Sequence, residues 1–254
     1  MATVITIEGM DAAANSVGFA PPDADGLVGW FHIGTSGAAS IRNRASGGSA
    51  STVAGAPSFS SGFGSFSSTA NRIDTTLVDT AACTLLVVAR SSNDFAVSTQ
   101  RPLLLGAYSA IGNDFYGSGI LVTGTPSATP AATVTFRAAR DAAGVSTMVG
   151  ASVTVPNFSL WTFLAGSCSA GADANGRAIF DKTNGTSALA TPATARIVHP
   201  SRTHQIGAAS SSLVQGGSDV AWAAIYNQQL TEARIDRIYT FVKRRLADKF
   251  SITI

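Results

Sequence analysis

Only one stretch of this 254-residue sequence can be drawn as an amphipathic helix, and it lies at the end, over residues 231–250. Ile235, Ile238, Tyr239, Val242, Leu246 and Phe250 fall at helical spacing and make one apolar stripe. Thr231 is placed to cap the N-terminus, and Glu232 puts an anion in the first turn, where the helix dipole favours one. Leu230 and Ile235 stand at the spacing of a hydrophobic staple. A chain of this length with a single helix must build its core from strands. Residue usage agrees: Gly (25), Ser, Thr and Ala dominate, while Glu, Lys and Leu are scarce, as in short strands joined by small-residue turns.

The upstream chain reads as such strands. Residues 27–33 form the first, and 73–78 and 84–90 follow. The second of these, Thr84-Leu-Leu-Val-Val-Ala-Arg90, is an unbroken apolar run that predicts burial on both faces. Further strands are expected at 102–108, 119–123, 160–168, 177–181, 203–208 and 220–226. Residues 133–140 and 145–155 flank Asp141-Ala-Ala-Gly144 as a hairpin. Roughly ten or eleven strands, spaced about 8–15 residues apart with turn signals between them, point to an all-β, two-sheet antiparallel sandwich closed by one C-terminal helix. Phe59, Phe63 and Phe66, set among Ser and Gly, suit a loop pinned to the core, and 186–202 reads as loop. Residues 1–26 form an Ala/Pro/Asp-rich N-terminal arm, either an attachment or an ordered lead-in, and 27–254 form one domain.

Charged residues make up 13% of the chain, about half the usual share, and the net charge is +2. That balance argues against nucleic acid or an anionic membrane as partner. The longest apolar run, residues 81–89, is far too short to insert in a membrane, and the N-terminus lacks the basic start and apolar core of a secretory signal. The excess charge is local. Between Thr231 and Lys249, Arg234, Arg237, Lys243, Arg244, Arg245 and Lys249 face only Glu232, Asp236 and Asp248. That helix face is either simply solvated or a partner contact, for which Arg237, Arg244 and Arg245 are the candidate residues. Cys83 and Cys168 each sit in an apolar strand pattern, as buried thiols or as one bridge.

An ordered series of motifs carries a resemblance. Gly26-Leu-Val-Gly-Trp-Phe leads to Gly55-Ala-Pro-Ser-Phe, then to Ile73-Asp-Thr and Ala82-Cys-Thr-Leu-Leu-Val-Val-Ala. Leu160-Trp-Thr-Phe-Leu-Ala-Gly and Ala178-Ile-Phe-Asp181 follow. His204-Gln-Ile-Gly207, Asp219-Val-Ala-Trp-Ala-Ala-Ile-Tyr-Asn227 and Leu230-Thr-Glu-Ala-Arg-Ile close the series. Over residues 26–250 this order resembles the concanavalin A-like lectin/glucanase domains, the laminin-G-like group. The resemblance implies a jelly roll of two curved antiparallel sheets. The longer terminal helix and low-charge composition resemble virion-associated proteins of tailed bacteriophages. That implies assembly into a virion after synthesis in the host cytoplasm, with other virion proteins or further copies of the chain as partners, and contact with host surface glycans.

Catalytic patterns are missing from the sequence. Glycosidases of this group carry two glutamates separated by an aspartate on a strand, roughly 5–10 Å from each other, whereas Glu8 and Glu232 are the only glutamates, one in the arm and one at the helix start. There is no Gly-x-Ser-x-Gly elbow and no zinc-ligand spacing among His32, His199, His204, Cys83 and Cys168. No phosphate loop, cofactor or metal motif is present, and Asp173 and Asp181 are explained by turns as readily as by calcium. Recognition remains. The loop Gly112-Asn-Asp-Phe-Tyr-Gly117 has the composition of a sugar-binding loop, with Asn113, Asp114 and Tyr116 as candidate ligand residues, though an ordinary turn capping the core would look the same. The expected function is therefore a non-enzymatic virion protein with a lectin-like domain. The alternatives are a free carbohydrate-binding lectin and a cryptic glycoside hydrolase.

Overall fold

The computed structural model describes residues 21–111, 114–126, 130–142, 145–171, 176–191, 194–199, 201–209 and 214–254. Two antiparallel sheets face each other, and the expected sandwich is borne out. From edge to edge the first sheet runs Thr186–Ala190, Arg177–Asp181, Thr162–Cys168, Cys83–Arg90, Ser218–Tyr226, Phe63–Phe66 and Ser58–Ser60. Leu27–His32 also pairs with Ser218–Tyr226, beyond the short Phe63–Phe66 contact. The second sheet runs Val145–Val155, Ala132–Ala142, Ser118–Gly124, Leu103–Gly106, Thr203–Ile206, Arg72–Val78 and Thr52–Ala54.

The first sheet is covered on both faces, which explains its unbroken apolar strands. Leu85, Val87 and Ala89 point into the core between the sheets, with Leu164, Val220 and Ile225. Leu86 and Val88 point the other way, with Phe163, Trp222 and Tyr226, and meet the terminal helix. A register shift between Val220 and Trp222 lets Ala221 and Trp222 both face the helix. The sheets come close where Gly166 faces Phe136: a Cβ on Gly166 would lie 2.2 Å from the Phe136 ring.

The helix, Glu232–Phe250, lies where the stripe puts it. Ile235, Ile238, Val242 and Leu246 are buried, while Tyr239 and Phe250 pack at the margin. Thr231 occupies the N-cap in extended backbone, but its side chain makes no capping hydrogen bond. Ahead of the first strand, Asp23 is tied to this helix: Arg234 Nη2 donates to its Oδ1 at 2.5 Å and Arg237 Nη2 to its Oδ2 at 2.7 Å. The Tyr226 hydroxyl donates to the Asp23 carbonyl. The end of the N-terminal segment is thus an ordered lead-in.

Four expectations need correction. The described residues contain seventeen strands, more than the sequence suggested, because several are only three or four residues long. Phe59, Phe63 and Phe66 belong to a hairpin, not a loop; Gly62 turns it with φ +89°, and a Cβ there would also strike Phe250. The expected 186–202 loop opens with a strand, Thr186–Ala190, on the sheet edge. The region around 112–117 contains two short strands, Ser109–Ile111 and Asp114–Tyr116, paired off both main sheets.

Candidate functional site

The pocket with the clearest recognition chemistry opens on the helix-side face of the first sheet, and strand register builds it. Ser65, Asp219 and Arg90 are Cα partners across three neighbouring strands, so they form one polar row. Arg90 ends the apolar Cys83–Arg90 strand, with its side chain on the Leu86 and Val88 side. The pocket above this row holds about 400 Å³, and Ser91, Asn93, Ser159 and Gly217 complete its walls.

Its side chains are held in place. Arg90 Nε donates to Asp219 Oδ2 at 2.9 Å, and Ser65 Oγ donates to Asp219 Oδ1 at 2.6 Å. The guanidinium lies over the rings of Trp161, 4.5 Å from its centroid, and Phe63, at 5.2 Å. Those rings meet edge-on at 5.5 Å. These two cation–π contacts and the hydrogen bond at Nε hold the guanidinium in place. Asn93 Nδ2 donates to the carbonyls of Gln100 and Gly217, and Ser91 Oγ to that of Gly217. Ser159 Oγ donates to Asn157 Oδ1.

Most polar capacity here is already spent inside the protein. Both Asp219 oxygens accept a hydrogen bond, and the amide of Asn93 is used on its donor side. Arg90 is different. Its terminal Nη1 and Nη2 find no hydrogen-bond partner among the described residues, and its side chain is 35% exposed. The pocket therefore offers a planar fork of N–H donors, which matches the two oxygens of a carboxylate. Because Asp219 offsets the charge of Arg90, the pocket is not a general trap for anions; a ligand must fit the fork.

The sequence-derived candidates lie elsewhere. Asn113 and the side chain of Asp114 are outside the described residues. Tyr116 is half-buried, its ring edge-on to His199 at 5.8 Å, in the small hairpin away from the Arg90 row. Of the helix cations, Arg237 pairs with Asp23, the exposed Arg244 stands 3.8 Å from Asp248, and Arg245 is half-buried, burial lowering its pKa. Asp181 is buried, its pKa raised by desolvation, and it accepts from the Asn184 backbone and side chain as turn chemistry requires.

Two arrangements were not legible as motifs. One is a buried polar cluster between the sheets. Asp79 Oδ1 accepts from Arg196 Nη2 and, at 2.9 Å, from Ser118 Oγ, while Oδ2 accepts from the His199 backbone N–H at 3.1 Å. The other is a Ser–His contact, Ser109 Oγ to His199 Nε2 at 2.8 Å. His199 Nδ1 accepts from the backbone N–H groups of Ser201 and Arg202, at 3.2 and 2.7 Å, so the ring proton sits on Nε2. His199 therefore donates to Ser109 and does not activate it as a nucleophile. Glu232 accepts from Lys182 Nζ at 2.5 Å. Asp219 is the one carboxylate among the residues lining the Arg90 pocket, so the paired carboxylates of glycoside hydrolysis do not meet there.

No protein-family model matches this sequence, and no curated protein does. Solved structures share the fold. The botulinum neurotoxin serotype D ligand binding domain in complex with N-acetylneuraminic acid matches with a TM-score of 0.56 at 8% identity, over 86% of this chain and 51% of that one. The receptor binding domain of botulinum neurotoxin type G gives 0.55 at 11%, over 86% and 52%. The Trypanosoma rangeli sialidase in complex with sialic acid gives 0.55 at 14%, over 93% and 35%. This chain thus spans about half the length of the toxin domains and a third of the sialidase. At such identities the likeness is one of fold alone.

Proposed function

We propose that this chain is a non-enzymatic, lectin-like recognition module that binds a carboxylate-bearing sugar in the Arg90 pocket. The observation that carries the reading is the Arg90 guanidinium, over Trp161 and Phe63 in the wall of an open pocket, with neither terminal nitrogen hydrogen-bonded among the described residues. Two of the solved structures with this fold are complexes with N-acetylneuraminic acid and sialic acid, sugars that carry such a carboxylate. A single carboxylate in the pocket, already engaged on both oxygens, favours binding over hydrolysis. The module's setting is a tailed-bacteriophage virion, where it contacts host surface glycans beside other virion proteins or further copies of itself. The collinear motif series and the low-charge composition support that setting. Asn113, Asp114 and Tyr116 are a secondary glycan contact in this reading, and Arg237, Arg244 and Arg245 an assembly contact.

A glycan array comparing sialylated and uronic acid-containing glycans with neutral ones tests it. Binding is expected to the acidic sugars and to fall about 10–100-fold in Arg90→Ala, the loss of a charge-assisted bidentate contact. Arg90→Lys is expected to recover little, because a point charge lacks the fork. Tyr116→Ala is expected to weaken binding less. Equal binding by Arg90→Ala and the unsubstituted protein would overturn the site. Mass spectrometry of purified phage particles tests the setting: the chain should be among their proteins, and its consistent absence would leave a free lectin.

A further inference from the structure

Cys83 begins one central strand of the first sheet and Cys168 ends its neighbour, and the two are direct Cα partners in the antiparallel register. Opposed residues in such a pair have Cα atoms about 4.5–5.5 Å apart, within the span a disulfide accepts. The Sγ atoms are 3.5 Å apart, although 85 residues separate the two along the chain. Both are fully buried, and they are not in an inert apolar pocket. Arg196 Nη1 lies 3.7 Å from Cys83 Sγ, and Ser118 Oγ lies 3.5 Å from the same sulfur. A guanidinium beside two touching thiols favours a thiolate on one of them.

We propose that Cys83 and Cys168 are a redox modification site: a cross-strand dithiol that a small peroxide converts to a disulfide, locking the Cys83–Arg90 and Thr162–Cys168 strands together. Burial opposes a charge on either sulfur, and Arg196 Nη1, beside Cys83 Sγ, favours one. The thiolate attacks one peroxide oxygen and breaks the O–O bond, giving a sulfenic acid and hydroxide. The second thiol then displaces the sulfenic hydroxyl as the S–S bond forms, and its proton leaves in water. Overall the two thiols lose two electrons and two protons, and one hydrogen peroxide becomes two waters. Both cysteines stand at strand ends, where local opening admits a small oxidant without global unfolding.

The test treats the folded protein with hydrogen peroxide, quenches it, and then unfolds and alkylates it. The expected product is a monomer about 2 Da lighter than the dithiol that takes up no alkylating reagent and is restored by dithiothreitol. Its Tm should rise by about 10 °C, as closing a long loop constrains the unfolded chain. Cys83→Ala and Cys168→Ala should each abolish the 2 Da loss, peroxide instead adding oxygen to the remaining sulfur. Two alkylatable thiols after peroxide treatment would overturn the proposal, as would a disulfide-linked dimer or a lower Tm for the bridged form. These readouts do not depend on glycan binding.

Discussion

Lowering the pH from 7 to 4 is expected to cost this domain several kcal/mol of stability, through the buried His204 and the half-buried His32. His204 is fully buried, and desolvation holds its pKa down at about 4, the nearby Asp79 raising it and Arg196 lowering it. His32 is lowered to about 3, first by burial and then by Arg245, Arg44 and Lys249 around it. In the unfolded chain both titrate near 6.5. Between 6.5 and the folded values the unfolded state therefore binds protons that the native state refuses. Stability is present in full above pH 6.5 and is lost as pH falls towards 4 and below. For His204 the span is worth about 3 kcal/mol, and His32 adds a comparable amount. Asp181 opposes this over a lower range, since its raised pKa makes the native state the better proton acceptor there. Denaturant titrations at pH 7, 5.5 and 4 should show the midpoint falling at each step. A midpoint independent of pH would mean that these histidines are solvated.

Asp79→Ala is expected to destabilise the domain by about 3–5 kcal/mol, a large part of the usual stability of a domain. The Asp79 and Arg196 side chains are completely buried, and the pair joins the end of the Arg72–Val78 strand to a segment 117 residues away. Arg196 also donates to the Ala81 carbonyl at 3.1 Å. Removing the carboxylate leaves a guanidinium in the interior without its counter-charge, and Ser118 Oγ and the His199 N–H lose their acceptor. If the cost is that of an orphaned charge, the double replacement Asp79→Ala with Arg196→Met should cost much less than Asp79→Ala alone. Urea unfolding of the three proteins gives the comparison. A single-variant loss under about 1 kcal/mol would show that water reaches the pair.

How much was legible in the sequence follows from burial. The Cys83–Arg90 run announced a strand covered on both faces, because alternate residues meet the second sheet and the terminal helix. The helix was readable from its stripe. Thr186–Ala190 was not, since an edge strand with its face largely exposed has no buried side to impose alternation. The Phe59–Phe66 hairpin was hidden by Ser and Gly, which carry little strand propensity, and its turn needed the positive φ of Gly62. The Arg90 pocket was invisible for another reason: Ser65, Arg90 and Asp219 are distant in sequence and meet only through register. The signal available was a charge closing one apolar strand and its opposite opening another. Asp79 and Arg196 likewise carry no local pattern.

A crystal structure of the domain soaked with N-acetylneuraminic acid tests the Arg90 site most directly. The sugar is expected in the pocket beside Ser65 and Asn93, its carboxylate oxygens about 2.8 Å from Nη1 and Nη2 of Arg90. The guanidinium should remain on Trp161 and Phe63. Density for the sugar against Tyr116, or an empty Arg90 pocket at saturating sugar, would contradict it.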